Sequence, residues 1–334
     1  MAKPVVLVTA PKLIGDAENL LRKGGMELTF MQYPVNEEAL IAQFERQPVD
    51  ALLMRGPPPL PRRVLAAAKQ LKVISKTGAG YDSVDIDAAT ELGIAMIVSR
   101  GANADAVAEH TLALMLSLAR ELPRYDRGLR KGVWKDPSGG GKGFRGMTVG
   151  IFGYGAIGRK AAKLAAAFDA PVLLHSRSRI AEVPAGMEVE PDFNRFLARS
   201  DILSLHCPLT KETRGVIGEQ QIALMKPPAF IVNTSRGSVI DEPAMIRALK
   251  EGRLAGAGLD TFAMEPPAKD NPLFSMDNVI VTPHIAALTE HAANNMGDMA
   301  AKSVLSYLRG ELYDEPSVMN PAVLQGSRRP RPTA

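Results

Sequence analysis

The sequence predicts an α/β fold of two Rossmann-like, doubly wound parallel-sheet domains. Three observations predict it. Short apolar runs of strand length alternate with stretches of helical spacing along most of the 334 residues. Such βαβ alternation implies parallel strands with helices on both faces. The alternation occurs twice, on either side of a long Ala- and Leu-rich segment. The second series opens on a glycine fingerprint that follows a strand and starts a helix, which is the context that motif needs.

In the first series the strand candidates are Val5–Val8 (VVLV), Ala51–Met54 (ALLM) and Lys72–Ser75 (KVIS), with helical spacing over Glu37–Phe44 and Arg62–Leu71. Ala104–Leu122 reads as one long helix with Pro123 following it. It is apolar around most of its circumference, which predicts burial between domains or at a subunit contact. The glycine-rich stretch Asp136–Gly146 reads as a loop, and its Gly-Lys pair lacks the Ser or Thr of a phosphate loop. The second series has strand candidates at Thr148–Gly153, Pro171–Ser176, Ile202–His206, Phe230–Thr234 and Val279–Pro283. A last helix is expected over Thr289–Gly310, and its pattern alone fits either unit.

Composition removes several classes. At 46% hydrophobic content the chain can bury a large core, and its length suggests two domains. The net charge is +4 with Lys and Arg scattered. The only basic cluster, Arg328, Arg329 and Arg331, reads as a solvated tail, so no nucleic-acid partner is expected. The single cysteine, Cys207, excludes an internal disulfide and a cysteine metal cluster, and the five histidines show no ligand spacing, so no metal is expected. A reducing, cytoplasmic compartment fits. The N-terminus reads as a first strand and not as a signal peptide. No apolar run approaches the roughly 18 residues of a membrane span.

Gly153, Gly155 and Gly158 have the GxGxxG spacing, with Ala156 and Ile157 between the last two. The first glycine allows a tight turn, the second lets backbone approach a pyrophosphate, and the third permits close helix–strand packing. The helix start adds free N–H groups and partial positive charge. At the end of the next strand an acid is expected to bind a ribose 2′-hydroxyl. The sequence there is LLHSRSR, with Ser176, Arg177, Ser178 and Arg179 and no carboxylate. Arginine accommodates a 2′-phosphate through charge-assisted hydrogen bonds, so NADP(H) is preferred over NAD(H). A solvated loop beside NAD(H) is the alternative. His175 is a further candidate for that phosphate.

Three isolated polar residues stand near strand ends in apolar surroundings: Arg236 in NTSRG, Glu265 in AMEPP and His284 in TPHIA. Strand carboxyl ends face the ligand crevice of an open α/β sheet. An arginine can hold a carboxylate in a forked grip. A histidine can shuttle a proton near neutral pH, and a glutamate beside it would favour the imidazolium. These are the parts needed to deliver a proton to the alkoxide formed when hydride reaches a ketone. Arg55, after an N-terminal strand, is a candidate for a second anionic group. His110 reads as a packing or N-terminal-turn residue of its helix, and no base is evident that would activate Cys207.

With these motifs in view, the chain resembles the D-isomer-specific 2-hydroxyacid dehydrogenase family over nearly its whole length. LKVISKTGAGYDSVD, ANADAVAEHTLALML, GMTVGIFGYGAIGRK, DILSLHCPLTKETRGVI, NTSRGSVID, GAGLDTFAMEPP and NVIVTPHIA match its segments in order. The resemblance implies that Arg236, Glu265 and His284 are catalytic, and that Ala79 and Gly80 offer backbone N–H groups to a substrate carboxylate. It implies cofactor contacts at Val107, Gly153–Gly158, His206, Cys207, Pro208, Thr234, Asp260 and His284, with Asp260 holding the nicotinamide carboxamide. It also implies a split substrate domain, residues 1–102 and 288–334, around an inserted dinucleotide-binding domain, residues 103–287. Members are usually homodimers, which makes the Ala104–Leu122 helix and the Trp134 loop candidate contacts.

The implied activity is NADPH-dependent reduction of a small 2-oxo acid, glyoxylate or hydroxypyruvate. An NAD-dependent phosphoglycerate dehydrogenase-like enzyme and a nucleotide-sensing binding protein are the alternatives. No C-terminal regulatory domain is expected after the last helix. Two departures stand out: Ser176 or Arg177 where NAD-using members commonly have Asp, and Ala-Ala after His-Ile where members often have Gly-Ser or Gly-Gly.

Overall fold

The structure is a computed structural model that describes residues 3–56, 58–134, 140–311 and 315–325. Residues 136–139 of the glycine-rich loop and the basic cluster at 328–331 lie outside the described residues. The first series runs β1 (Val5–Val8), α1 (Ala17–Lys23), β2 (Glu27–Phe30), α2 (Glu37–Arg46), β3 (Ala51–Met54), α3 (Arg62–Ala67), β4 (Val73–Lys76), α4 (Ile86–Glu91) and β5 (Ala95–Val98). The second runs α5 (Ala104–Ala119), α6 (Leu122–Arg130), β6 (Val149–Phe152), α7 (Ala156–Ala167), β7 (Val172–His175), β8 (Met187–Val189), α8 (Phe193–Arg199) and β9 (Ile202–Leu205). It continues through α9 (Glu219–Leu224), β10 (Ala229–Asn233), α10 (Glu242–Lys250), β11 (Leu254–Leu259) and β12 (Val279–Val281), and α11 (Glu290–Leu308) follows.

The chain divides into two units, one of residues up to Asn103 together with those from Thr289 onward, the other Ala104–Leu288. In the first unit five parallel strands take the order β2-β1-β3-β4-β5. Apolar layers cover both faces. One contains Leu40, Phe44, Leu52 and Ile74, the other Leu21, Leu53, Val304 and Tyr307. The last two belong to α11, so this helix packs within the first unit.

In the second unit seven parallel strands take the order β12-β11-β10-β9-β6-β7-β8. Chain direction across the sheet reverses between β6 and β9, which is where a doubly wound sheet opens a crevice. The registers align the strand ends. His175, Phe152, Leu205, Asn233, Leu259 and Val281 pair in one continuous row. The six loops that follow therefore leave from a single edge.

One helix and four strands differ from the sequence expectation. Ala104–Leu122 is not one helix: α5 stops at Ala119, Glu121 takes a left-handed φ of 50°, and α6 begins with Pro123 in its first turn. Proline there fits a helix start, because the first N–H groups of a helix have no partner to lose. β11 reads LAGAGL, too poor in branched residues to signal a strand. Its composition follows from packing, since a Cβ on Gly258 would lie 3.1 Å from Cβ of Leu114 on α5. Strands β2, β5 and β8 were also missed. β2 is four residues long with none fully buried, β8 is three residues long, and β5 is a buried run of four.

Candidate active site

Packing dictates the glycine loop. Gly153 has φ +101°, and a Cβ on it would lie 2.7 Å from the backbone of His206 and Cys207. The loops after β6 and β9 thus touch at the reversal point, and only glycine fits. A Cβ on Gly158 would collide with the Gly153 carbonyl, so α7 sits directly on the end of β6. Gly155 differs: a Cβ there would meet nothing within 4 Å. It caps α7 with extended backbone and offers no side-chain hydrogen bond to the first turn. Space above Gly155 and uncapped N–H groups at a twelve-residue helix suit the diphosphate of a dinucleotide.

After β7, Ser176 is half-buried and Arg177, Ser178 and Arg179 are exposed. Arg177 lies 3.7 Å from the Glu212 carboxylate, with both side chains more than half exposed. Glu212 is itself held by the Thr210 hydroxyl at 2.6 Å, which, with the Arg177 charge, keeps its carboxyl below the usual range. Glu212, from another loop, thus places a carboxylate beside LLHSRSR, at a sequence distance that no local motif reveals. Arg179 forms no ion pair among the described residues. His175 turns away from this loop's role: its Nδ1 bonds the Glu190 carbonyl at 2.9 Å, and its ring packs among Phe152, Phe193 and Phe196.

After β9, the His206 ring bonds the Ser204 hydroxyl at 2.9 Å, and burial pushes its pKa down to about 4. Burial pushes the Cys207 thiol the other way, up to about 11, so it stays protonated and unreactive. Pro208 is exposed at the start of the turn, and its carbonyl accepts from the Thr213 hydroxyl. Thr234 pairs with Thr111 at 2.8 Å, and Thr111 donates to the Val107 carbonyl. This ties the end of β10 to α5.

Arg236, Glu265 and His284 come together by separate devices. Asn233, fully buried, accepts from the Ser235 amide and hydroxyl and donates to the Arg236 carbonyl, fixing the turn that carries Arg236. Gly237 follows, and a Cβ on it would overlap the backbone of Phe262 and Ala263. The Arg236 turn therefore lies flat on the segment leading to Glu265. Glu265 accepts from the Phe262 amide at 3.0 Å through one oxygen and from His284 Nδ1 at 2.8 Å through the other. Desolvation raises its pKa. The His284 bond, the Phe262 amide and the nearby charges of His284 and Arg236 outweigh this and hold the carboxyl below its usual range.

His284 has a left-handed φ of 54°. Asp260, with no exposed surface, accounts for it: Oδ1 accepts from Thr282 Oγ1 at 2.6 Å and the Ile285 amide at 2.9 Å, and Oδ2 from the Ala286 amide at 2.9 Å. The His284 amide donates to the Asp260 carbonyl. Sequence reading marked Asp260 only by resemblance, and Asn233 and Gly237 carried no signal by themselves. His110, expected to be a packing or N-terminal-turn residue, instead lies 3.0 Å from Thr282 Oγ1.

In the first unit, Ala79 and Gly80 follow β4 beyond Gly78, whose φ is +102°. Their N–H groups have no protein acceptor among the described residues. Arg55 follows β3, and its backbone bonds the Thr9 hydroxyl at the end of β1. β1 and β3 flank the point where strand order reverses in this sheet. Among the described residues there is no cluster of three or more His, Cys, Asp or Glu able to hold a metal ion, and no helix is long and apolar enough to cross a membrane.

The model of the D-isomer specific 2-hydroxyacid dehydrogenase NAD binding domain matches residues 112–286. The chain belongs to this dehydrogenase family. The match covers most of the second unit, including Arg236, Glu265 and His284. The chain is 40% identical to a glyoxylate reductase of Thermococcus litoralis over 84% of its own length and 86% of that protein. It is 38% identical to a D-3-phosphoglycerate dehydrogenase of Archaeoglobus fulgidus over 91% of its own length, but spans only 57% of that longer relative. A crystal structure of a glyoxylate reductase from Paecilomyes thermophila superposes with a TM-score of 0.84 at 30% identity, covering 96% of this chain and 99% of that one.

Proposed function

We propose that this dehydrogenase reduces a small 2-oxo acid, glyoxylate or hydroxypyruvate, to the D-2-hydroxy acid, with NADPH preferred. The observation that carries this reading is the 2.8 Å bond between His284 Nδ1 and Glu265, beside Arg236. That bond occupies Nδ1 and leaves Nε2 as the proton-carrying atom that faces the reaction. Glu265, ionised, holds the imidazolium upright and in place. Arg236 grips the substrate carboxylate in forked geometry and polarises the adjacent carbonyl. Ala79 and Gly80, whose amides have no protein acceptor among the described residues, are assigned to binding a substrate carboxylate. A reduced nicotinamide, when bound, supplies hydride to C2. As negative charge develops on the carbonyl oxygen, His284 Nε2 releases its proton to it. In the reverse direction neutral Nε2 removes the proton from the hydroxyl.

The diphosphate is assigned to Gly155, Ala156, Ile157 and the uncapped start of α7, and Asp260 and Thr234 to the nicotinamide end. Ser176, Arg177, Ser178 and Arg179 are assigned to a 2′-phosphate. Glu212 beside Arg177 favours a second reading, in which a carboxylate meets the ribose hydroxyls of NAD. Arg55, at the reversal point of the first sheet, supports a substrate with a second anionic group, as the name of the Archaeoglobus relative suggests. A homodimer is proposed through α6 and the segment after it, where Leu122, Leu129, Val133 and Trp134 are exposed. Turnover of a panel of 2-oxo acids, with and without a phosphate group, against NADPH and NADH tests these readings together. No turnover with any acid would leave a nucleotide-sensing protein.

A further inference from the structure

We propose that His110 is a positioning residue for His284, acting through Thr282 and Asp260. The inference rests on the acid role of His284 given above. Asp260 is an acceptor only, so the 2.6 Å contact with Thr282 requires the Thr282 hydroxyl to donate. That hydroxyl has one hydrogen. Its 3.0 Å contact with His110 Nε2 must then be one in which the ring nitrogen donates. His110 therefore carries its hydrogen on Nε2 whether the ring is neutral or charged.

The direction of this chain of donors decides what it does. With the hydrogen on Nδ1 instead, the Thr282 hydroxyl would face two acceptors and could satisfy only one. Asp260 would then lose a donor in a fully buried setting, where an unmet acceptor is costly. The other two donors to Asp260 are the amides of Ile285 and Ala286, the residues directly after His284. The carboxylate is thus the hub of the loop, and His110, on the buried helix α5, orients one of its three bonds. His110 Nε2 also lies 3.8 Å from Asp260 Oδ1, the nearest ring nitrogen to that carboxylate. A loop held at left-handed φ relaxes when its anchor weakens, and His284 then leaves its alignment with Glu265.

The test uses four variants of the full chain: His110→Leu, His110→Gln, Thr282→Val, and His110→Leu with Thr282→Val. Nitrogen-15 spectra of the imidazoles, recorded without turnover, should show His110 as the Nε2–H tautomer. The His284 resonances should shift in His110→Leu and return towards wild type in His110→Gln, whose amide can still donate to Thr282. In turnover, His110→Leu should lower kcat about fivefold to tenfold, the scale of one lost hydrogen bond, with His110→Gln recovering most of it. The double variant should be no slower than the slower single variant. An Nδ1–H tautomer, unmoved His284 resonances, additive losses, or a lowered melting temperature with unchanged kcat would each overturn the proposal. If the wild type turns over no 2-oxo acid, the functional reading fails, and the spectra still decide whether His110 positions His284.

Discussion

Gly237→Ala is expected to disable the site while sparing the fold. Gly237 has no left-handed φ, so alanine is free to adopt its backbone conformation. The only obstacle is space. The added methyl would lie far inside the 3.4 Å at which ordinary contact begins, against the backbone carbonyl of Phe262 and the amide of Ala263. Backbone cannot rotate aside as a side chain can, so the turn carrying Arg236 and the segment carrying Glu265 must part by about 1 Å or more. Overpacking of this kind costs roughly 1–3 kcal/mol of stability. A misplacement of about 1 Å among reacting groups costs about 100-fold in rate. The assay is oxidation of the reduced nicotinamide with a 2-oxo acid, alongside thermal unfolding. Expected are a cooperative transition a few degrees lower and kcat/KM down about 100-fold. Gly155→Ala makes the comparison, because its methyl enters open space: it should spare kcat and raise KM for the cofactor. Wild-type kcat/KM in Gly237→Ala would refute the reasoning that these two segments are aligned by contact.

His284→Ala should lower kcat by about 100- to 10,000-fold, the usual scale for a lost general acid, in single-turnover kinetics. Arg177→Ala should raise KM for NADPH far more than for NADH, and Glu212→Gln should shift preference towards NADPH by removing a negative charge from the same spot; steady-state titration with both cofactors checks this. His206 predicts a pH effect on stability. Its pKa falls from the ordinary 6.5 to about 4 on folding, so the unfolded chain binds the extra proton. Its contribution is complete above pH 6.5 and is lost as pH falls towards 4, amounting to about 2 kcal/mol at pH 5. Denaturant unfolding at pH 7.5 and pH 5 should show a smaller acid loss in His206→Gln than in wild type.

Much of this architecture was legible because its signals are local. Parallel strands buried on both faces read as short apolar runs, and the spacing of Gly153, Gly155 and Gly158 fits one physical arrangement. Arg236, Glu265 and His284 stood out because each follows a strand end in apolar surroundings. What stayed hidden depends on distant partners. Pro123 gives the same signal whether it ends one helix or starts another, and the left-handed Glu121 decides the matter. β11 was invisible because its glycines serve Leu114 and Leu118 of α5, not the strand itself. Glu212 reaches Arg177 from another loop, so the lack of an acid in LLHSRSR could not show that the spot lacks one. The role of His110 is not legible in its helix because Thr282, its partner, lies 172 residues away.

The left-handed backbone at His284 has a consequence for the family's history. Glycine or asparagine would occupy that conformation more comfortably, while a side chain such as imidazole gives up roughly 1–2 kcal/mol there. Asp260 and its three donors keep the histidine in place against that preference. Selection on stability alone would therefore empty the position, and the proton transfer proposed for His284 would be what keeps it filled. In a descendant freed from turnover, residue 284 should be among the first to drift, towards Gly or Asn, while Asp260 and the glycine loop persist. A related sequence with that pattern is better read as a retired enzyme that still holds a nucleotide than as an enzyme with a different acid.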